Sequence, residues 1–433
     1  MGGPAGAEVE AIAQRFNAAQ KDYVVIPVYK GSYDETLAAA FVAHRAGNAP
    51  HVVQIYDLGT QNMMSAATGT HGAVRPVWQV MAEAGERLDP KSFVPAVASY
   101  YSDSQGRLDA LPFNTSTPVL YYNKDAFLAA KLDPEKPPRT WYEMVPVIAA
   151  LKDSGLPCGY VTSWQSWINL ENASAWHNQE FATRGNGMGG LDAKLVFNTH
   201  LMMRHIATLA SWVKSEYFTY TGRRDDAEVR FTQGACGLLT ASSSTYADLR
   251  AAAKFNFGVA QLPYYDDVRG APQNTLIGGG ALWVMGGHKK PEYQAVAKFL
   301  AYLAKPEVQA EWHQKTGYVP ITVAAYELTK KAGFYDKNPG HEIAIRQVLL
   351  KNPTSDTKGI RLGNFPRIRD IIDEELEAVW AFTKTPKEAL DAAVVRGNVV
   401  LRQFEASNRA GTRGDAPPKK ASKASAETAP RKK

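Results

Sequence analysis

Cysteine is scarce: the 433 residues contain two, Cys158 and Cys236, and no CxxC pair. A metal cluster built from cysteine thiolates alone is excluded, while the sequence leaves open whether the two form one disulfide or stay as separately buried thiols. Long apolar runs are missing as well. No uncharged apolar stretch reaches the roughly 18 residues that a membrane-spanning helix needs. The spacing signatures of catalysis are thin: His200 and His205 are five apart, neither HExxH nor GxSxG occurs, and Gly278-Gly279-Gly280 runs into no GK(S/T) ending. Gly185-Asn186-Gly187-Met188-Gly189-Gly190 matches GxGxxG by letters, but it joins no strand to a helix and reads as a mobile loop. Asp370, Asp373 and Glu374 read as the solvated face of a charged helix. Catalysis therefore has little support, and neither a metal nor a cofactor is expected.

A chain of this length normally divides into two or three domains, and two large lobes are the natural count. The formal charge is +6, but Arg409 to Lys433 holds eight basic residues against Asp415 and Glu427, so the tail carries the whole excess. That tail is rich in Ala, Ser and Pro and reads as a disordered, solvated appendage, with nucleic-acid or membrane contact as the lesser alternative; no nucleic-acid partner is expected.

Along the chain, Val9, Ile12, Ala13 and Phe16 recur at helical spacing. Tyr23–Tyr29 and His51–Tyr56 read as strands, with a helix from Tyr33 to Ala46 between them. This alternation predicts an α/β lobe on a mainly parallel sheet, whose ligands meet the carboxyl ends of strands, where Tyr33 and Asp57 lie. The hydroxyl-rich Asn114-Thr115-Ser116-Thr117 runs into apolar Val119-Leu120-Tyr121, as a strand does when it leaves a wet cleft for a core. Leu276–Met285 reads as the return to the first lobe and Gly317–Pro320 as a third crossing. The predicted division is residues 1–116 with 273–318 as the first lobe, 117–272 with 319–408 as the second, and 409–433 as the tail. Three crossings predict a hinge that closes over a ligand.

Three further features carry candidate chemistry. Trp164 and Trp167 share a face if helical; two tryptophans at that spacing are usually core, but their polar neighbours Gln165, Ser166, Asn169 and Glu171 suggest exposed indoles able to stack on a polyol or hold a quaternary ammonium. Ser242, Ser243 and Ser244 precede a helix, where N–H groups attract an anion or where serine simply caps. Arg361, Arg367 and Arg369 gather around a Gly/Pro-broken loop, and a guanidinium fork suits a phosphate, although such arginines are often merely solvated.

Taken together, KGSYDETL, QIYDLGT, PFNTSTPVLYYNKDAF, TSWQSWINLEN, APQNTLIGGGALWVM, EWHQKTGYVPIT and KGIRLGNFPRIR resemble the periplasmic solute-binding proteins of ABC importers, extracellular solute-binding family 1, and within it the glycerol-phosphate binders. The resemblance covers nearly all of residues 7–407. It implies a type II fold of two α/β lobes, a periplasmic location, a monomer, a glycerol phosphate or glycerophosphodiester ligand, and a membrane permease as partner. The ligand positions it implies are Tyr33, Asp57, Ser116, Trp164, Trp167, Ser242, Gly279, Tyr318 and Arg369. Ser242, Tyr318 and Arg369 would hold phosphate oxygens, Asp57 would accept from glycerol hydroxyls, and the tryptophans would pack on carbon. Asp57 stands where the family typically has glutamate, one methylene longer. The family also opens with an export signal and a first strand that are missing before Gly2. The expectation is an upstream start, and poor folding from Met1. Two rival readings are an oligosaccharide receptor of the same fold and a glycerophosphodiester hydrolase.

Overall fold

The structure is a computed structural model that describes residues 1–67 and 72–414. Eight strands form two separate sheets: β1 (Val52–Tyr56), β2 (Val74–Arg75), β3 (Leu111–Ser116) and β8 (Gly278–Met285) in one, and β4 (Pro118–Asn123), β5 (Cys158–Thr162), β6 (Cys236–Ser242) and β7 (Phe257–Ala260) in the other. β8 is the hub of the first sheet, antiparallel to β1, β2 and β3. In the second, ordered β5-β6-β4-β7, only β5 and β6 run parallel. The expected mainly parallel pairing is thus corrected. β4 and β8 enter their sheets by crossing from the opposite lobe rather than through a crossover helix, and so run against their neighbours.

A second correction concerns Tyr23–Tyr29, which is extended but pairs with no strand among the described residues. Its backbone bonds go instead to side chains: Val25 exchanges two with the Asn17 amide, at 2.8 and 2.9 Å, and the Tyr23 N–H donates to Gln20. Val24 and Ile26 consequently remain 74% and 76% exposed. The run is β-branched and extended, but a strand also needs a ladder partner. The preceding helix, Gly3–Ala19, buries Ile12, Ala13 and Phe16 as the spacing predicts, with Phe16 packed on Phe299 and Tyr302.

β3 and β4 form one nearly continuous extended run that passes from sheet to sheet at Thr117. The Thr117 hydroxyl donates to the Leu276 carbonyl at 3.0 Å and shares a hydrogen bond with the Thr275 hydroxyl at 2.6 Å. Val319 N–H donates to the Thr115 carbonyl at 2.7 Å, so all three crossing segments are tied to one another. Gly279, in the middle one, has φ +89°, and a Cβ there would lie 1.8 Å from the Asn114 carbonyl oxygen. Glycine is needed at this position for backbone to pass backbone.

Cys158 and Cys236 are bonded, joining directly opposed positions of β5 and β6 with Cα atoms 4.4 Å apart. The GxGxxG-like segment is pinned rather than loose: buried Asn186 accepts from the Phe181 and Ala182 N–H groups, and its own N–H and carbonyl are both bonded. The last helix, Pro386–Gly414, continues past Arg409, so the tail expected to be disordered begins as helix; residues 415–433 lie outside the described residues.

Candidate functional site

Ser32 opens the helix Tyr33–Arg45 with a capping box: its hydroxyl accepts from the Glu35 N–H, and the Glu35 carboxylate accepts from the Ser32 N–H at 2.7 Å. This places Tyr33 and Asp34 in the first turn, beside the end of β1. The Tyr33 ring stacks on Tyr56 with centroids 5.0 Å apart, and its hydroxyl accepts from the Asn114 amide at 2.9 Å. Facing them, the chain turns sharply after β5. Trp164 sits at φ +46°, outside the helix expected there, and the wider π-type turn Trp167–Asn172 follows it. Arg224 bridges the two sides. Its guanidinium lies 5.1 Å from the Trp164 ring centre and donates to Asp34 at 3.0 Å.

These residues border a cavity of about 1110 Å³ lined by Tyr33, Trp164, Arg224, Ser244 and Tyr318 among others. Of the nine positions inferred from sequence, Tyr33, Trp164 and Tyr318 line this cavity. Tyr318 stacks parallel on buried Trp312 at 5.5 Å. Ser242 lies close behind, its hydroxyl 2.8 Å from that of Ser244 and accepting the Ser244 N–H; it closes the turn, whereas Ser244 is the N-cap residue of helix Thr245–Ala252. Ser116 and Gly279 belong to the β3–β8 ladder.

Trp167 corrects the expectation of an exposed indole. It is 5% exposed and packs with Ile168, Trp176 and Leu262, while Gly278 leaves room for its ring edge. Its polar neighbours are buried with it, and distant residues satisfy Gln165, Ser166 and Glu171. Gln165 accepts from Trp380 Nε1 at 2.7 Å, and Ser166 donates to Asp373. Asp373 is therefore no solvated acid.

Arg369 and Asp57 meet in a buried charge cluster. The three arginines anticipated together point different ways: Arg361 donates to the Tyr100, Ser102 and Met188 carbonyls, Arg367 pairs with Glu374 at the surface, and Arg369 turns inward from helix Phe365–Trp380. Arg369 Nε and Nη2 donate to both oxygens of Glu171 at 2.9 and 2.7 Å, and Nη2 is 4.0 Å from Asp57. Glu171 is the partner that sequence reasoning missed. It lies 198 residues from Arg369, and no local pattern marks it. On the same turn, both amide atoms of Asn169 and the Trp167 Nε1 are buried with no hydrogen-bond partner among the described residues.

Burial pushes the Asp57 carboxyl up to about 7, with Arg369 drawing it back and Glu171 adding to the rise. An acid with a folded pKa above its unfolded value holds its proton more tightly when folded, so its contribution favours folding at low pH. That contribution is lost as pH rises from about 4 to about 7. Asp57→Asn should remove this loss, which amounts to at most about 1.4 kcal/mol per pH unit for one proton. Urea unfolding of both proteins across the window measures it; parallel stability profiles would show that Asp57 does not titrate there.

Residues 11–342 match the family described as bacterial extracellular solute-binding protein. The chain is 54% identical over 410 residues to the sn-glycerol-3-phosphate-binding periplasmic protein UgpB of Yersinia pestis, covering 94% of this chain and 92% of that protein. The chain belongs to the extracellular solute-binding family. Its Salmonella typhimurium relative of the same name is 53% identical over the same share of both chains. Among solved structures, UgpB from Mycobacterium tuberculosis in complex with glycerophosphocholine superposes with a TM-score of 0.76 at 20% identity, covering 92% of this chain and 95% of that one. The cyclic α-maltosyl-1,6-maltose binding protein from Arthrobacter globiformis superposes at 0.71 with 21% identity, over 93% and 97% of the two chains. The two-lobed fold of solute-binding proteins is therefore that of this chain, while ligands vary across the fold.

Proposed function

We propose that this solute-binding protein is the periplasmic receptor of an ABC importer. It takes sn-glycerol 3-phosphate or a glycerophosphodiester such as glycerophosphocholine into the cleft between its lobes and delivers it to a membrane permease, without catalysis. The observation that carries this reading is identity across nearly the whole chain to receptors named for sn-glycerol 3-phosphate. The site chemistry supports it. A buried arginine, the start of helix Thr245–Ala252 behind Ser242, and the Tyr318 hydroxyl suit a phosphate, whereas a neutral sugar requires no guanidinium. The unpaired Asn169 amide offers a polar ligand both a donor and an acceptor. The nine residues Tyr33, Asp57, Ser116, Trp164, Trp167, Ser242, Gly279, Tyr318 and Arg369 remain the proposed ligand positions, with Trp164 supplying the open aromatic face.

Titration calorimetry with sn-glycerol 3-phosphate, glycerophosphocholine and maltose tests the proposal. Saturable binding of a phosphate compound without maltose binding is expected; maltose binding alone would favour the oligosaccharide receptor. Choline release from glycerophosphocholine by the metal-supplemented protein would overturn the non-enzymatic reading. The two tryptophans should separate. Trp164→Leu is expected to weaken glycerophosphocholine by about 0.5–2 kcal/mol, the worth of a cation–π contact, with little change in melting. Trp167→Leu should lower the melting temperature as well as the affinity, since that ring also fills a buried cluster. Equal affinities for wild type and Trp164→Leu would remove Trp164 from the choline end of the site.

A further inference from the structure

A second cluster lies at the other end of β1 from Asp57; its neighbours Pro50 and Val52 line the cavity, but its own three side chains do not. His51 precedes β1, His288 follows β8, and Glu292 sits in the first turn of the helix Lys290–Leu303. The β1–β8 ladder brings the two histidines together, with Met285 N–H donating to the His51 carbonyl at 3.0 Å. Their rings stack at 4.1 Å, and one ligand atom from each of the three residues falls within 4.8 Å of the others.

We infer that His51, His288 and Glu292 form a surface site for a divalent transition-metal ion of the zinc class. Two imidazoles and a carboxylate are a donor set such ions prefer, whereas calcium and magnesium favour oxygen alone. His51 Nε2 and Glu292 Oε1 stand 3.3 Å apart. That matches the edge of a tetrahedron with metal–ligand bonds of about 2.0–2.1 Å, roughly 3.4 Å. Partners outside the trio already orient two of the ligands. Glu292 Oε2 accepts from the Lys289 N–H at 2.6 Å, which leaves Oε1 for the ion. His288 Nε2 is 3.1 Å from the Pro50 carbonyl, to which it can only donate, and this leaves the Nδ1 lone pair free. The start of the helix is electropositive and disfavours a cation, so the Glu292 charge is needed beside the two imidazoles. Water completes the coordination at this exposed position.

The ion would clip the beginning of β1 to the end of β8 and to the following helix. His51 and Asp57 lie at opposite ends of β1, roughly 20 Å apart at about 3.3 Å per residue, so metal and cleft ligand should bind independently.

Zinc titration of the tag-free, chelator-treated full chain by calorimetry tests the assignment, with calcium and magnesium as controls. One zinc per chain, a higher melting temperature with zinc, and no response to the controls are expected. His51→Ala and His288→Ala should each weaken zinc by about tenfold or more, and Glu292→Gln should weaken it too. All three variants should melt like wild type without metal and bind glycerophosphocholine as wild type does, since none touches the cleft. Absence of saturable zinc binding, or undiminished binding in both histidine variants, would overturn the site.

Discussion

Arg369→Ala is expected to damage the protein twice, through two separable measurements. The guanidinium is buried against Glu171, with Asp57 nearby, and burial has already raised the Asp57 carboxyl. Removing the only cation of this trio leaves Glu171 buried without its counter-charge, which costs about 3–5 kcal/mol of stability when one member of a buried pair is lost. Calorimetric affinity of the folded fraction for sn-glycerol 3-phosphate should fall by a further 2–5 kcal/mol or so, as truncation of a buried charge contact does at interfaces. Arg369→Lys should rescue neither, because an ammonium cannot repeat the two parallel bonds that Nε and Nη2 make to Glu171. An alanine variant that is destabilised yet binds with unchanged affinity would make Arg369 a structural residue and assign the phosphate to other groups.

Loss of the Cys158–Cys236 bond is expected to be nearly as costly. The bridge spans 78 residues, and constraining a loop of that length in the unfolded chain is worth about 4 kcal/mol. Both cysteines are buried, and they face each other across a parallel pair in the second sheet. The double variant Cys158→Ser/Cys236→Ser should therefore show a lower urea midpoint, as should wild-type protein unfolded under strong reductant. If reductant leaves the wild-type midpoint unchanged, the bond contributes nothing to stability.

How far the sequence could be read depended on the range of the interaction behind each feature. The helix Tyr33–Arg45 was legible because its capping box is written within four residues. The passage of Asn114–Tyr121 between lobes was legible because the polarity of the chain changes along the strand itself. Tyr23–Tyr29 shows the limit. Its short β-branched run is that of a strand, yet nothing in those residues reports whether a partner lies alongside. Trp164 and Trp167 looked equivalent at a spacing of three. The left-handed bend at Trp164 and the widened turn after it send one ring to the cavity and the other into packing.

The sequence by itself determined the family, its two-lobed fold and three residues that line the cavity, Tyr33, Trp164 and Tyr318, since these rest on local patterns and on long shared motifs. Only the tertiary structure decided that the sheets pair mainly antiparallel, that the cysteines meet, that Arg369 spends its fork on Glu171 while Arg361 and Arg367 face elsewhere, and that His51 lies against His288. Each of these is a contact between residues far apart in the chain. Such contacts are set by which strands become neighbours and by the cost of leaving a buried charge or backbone group unpaired, and no short stretch of sequence records either.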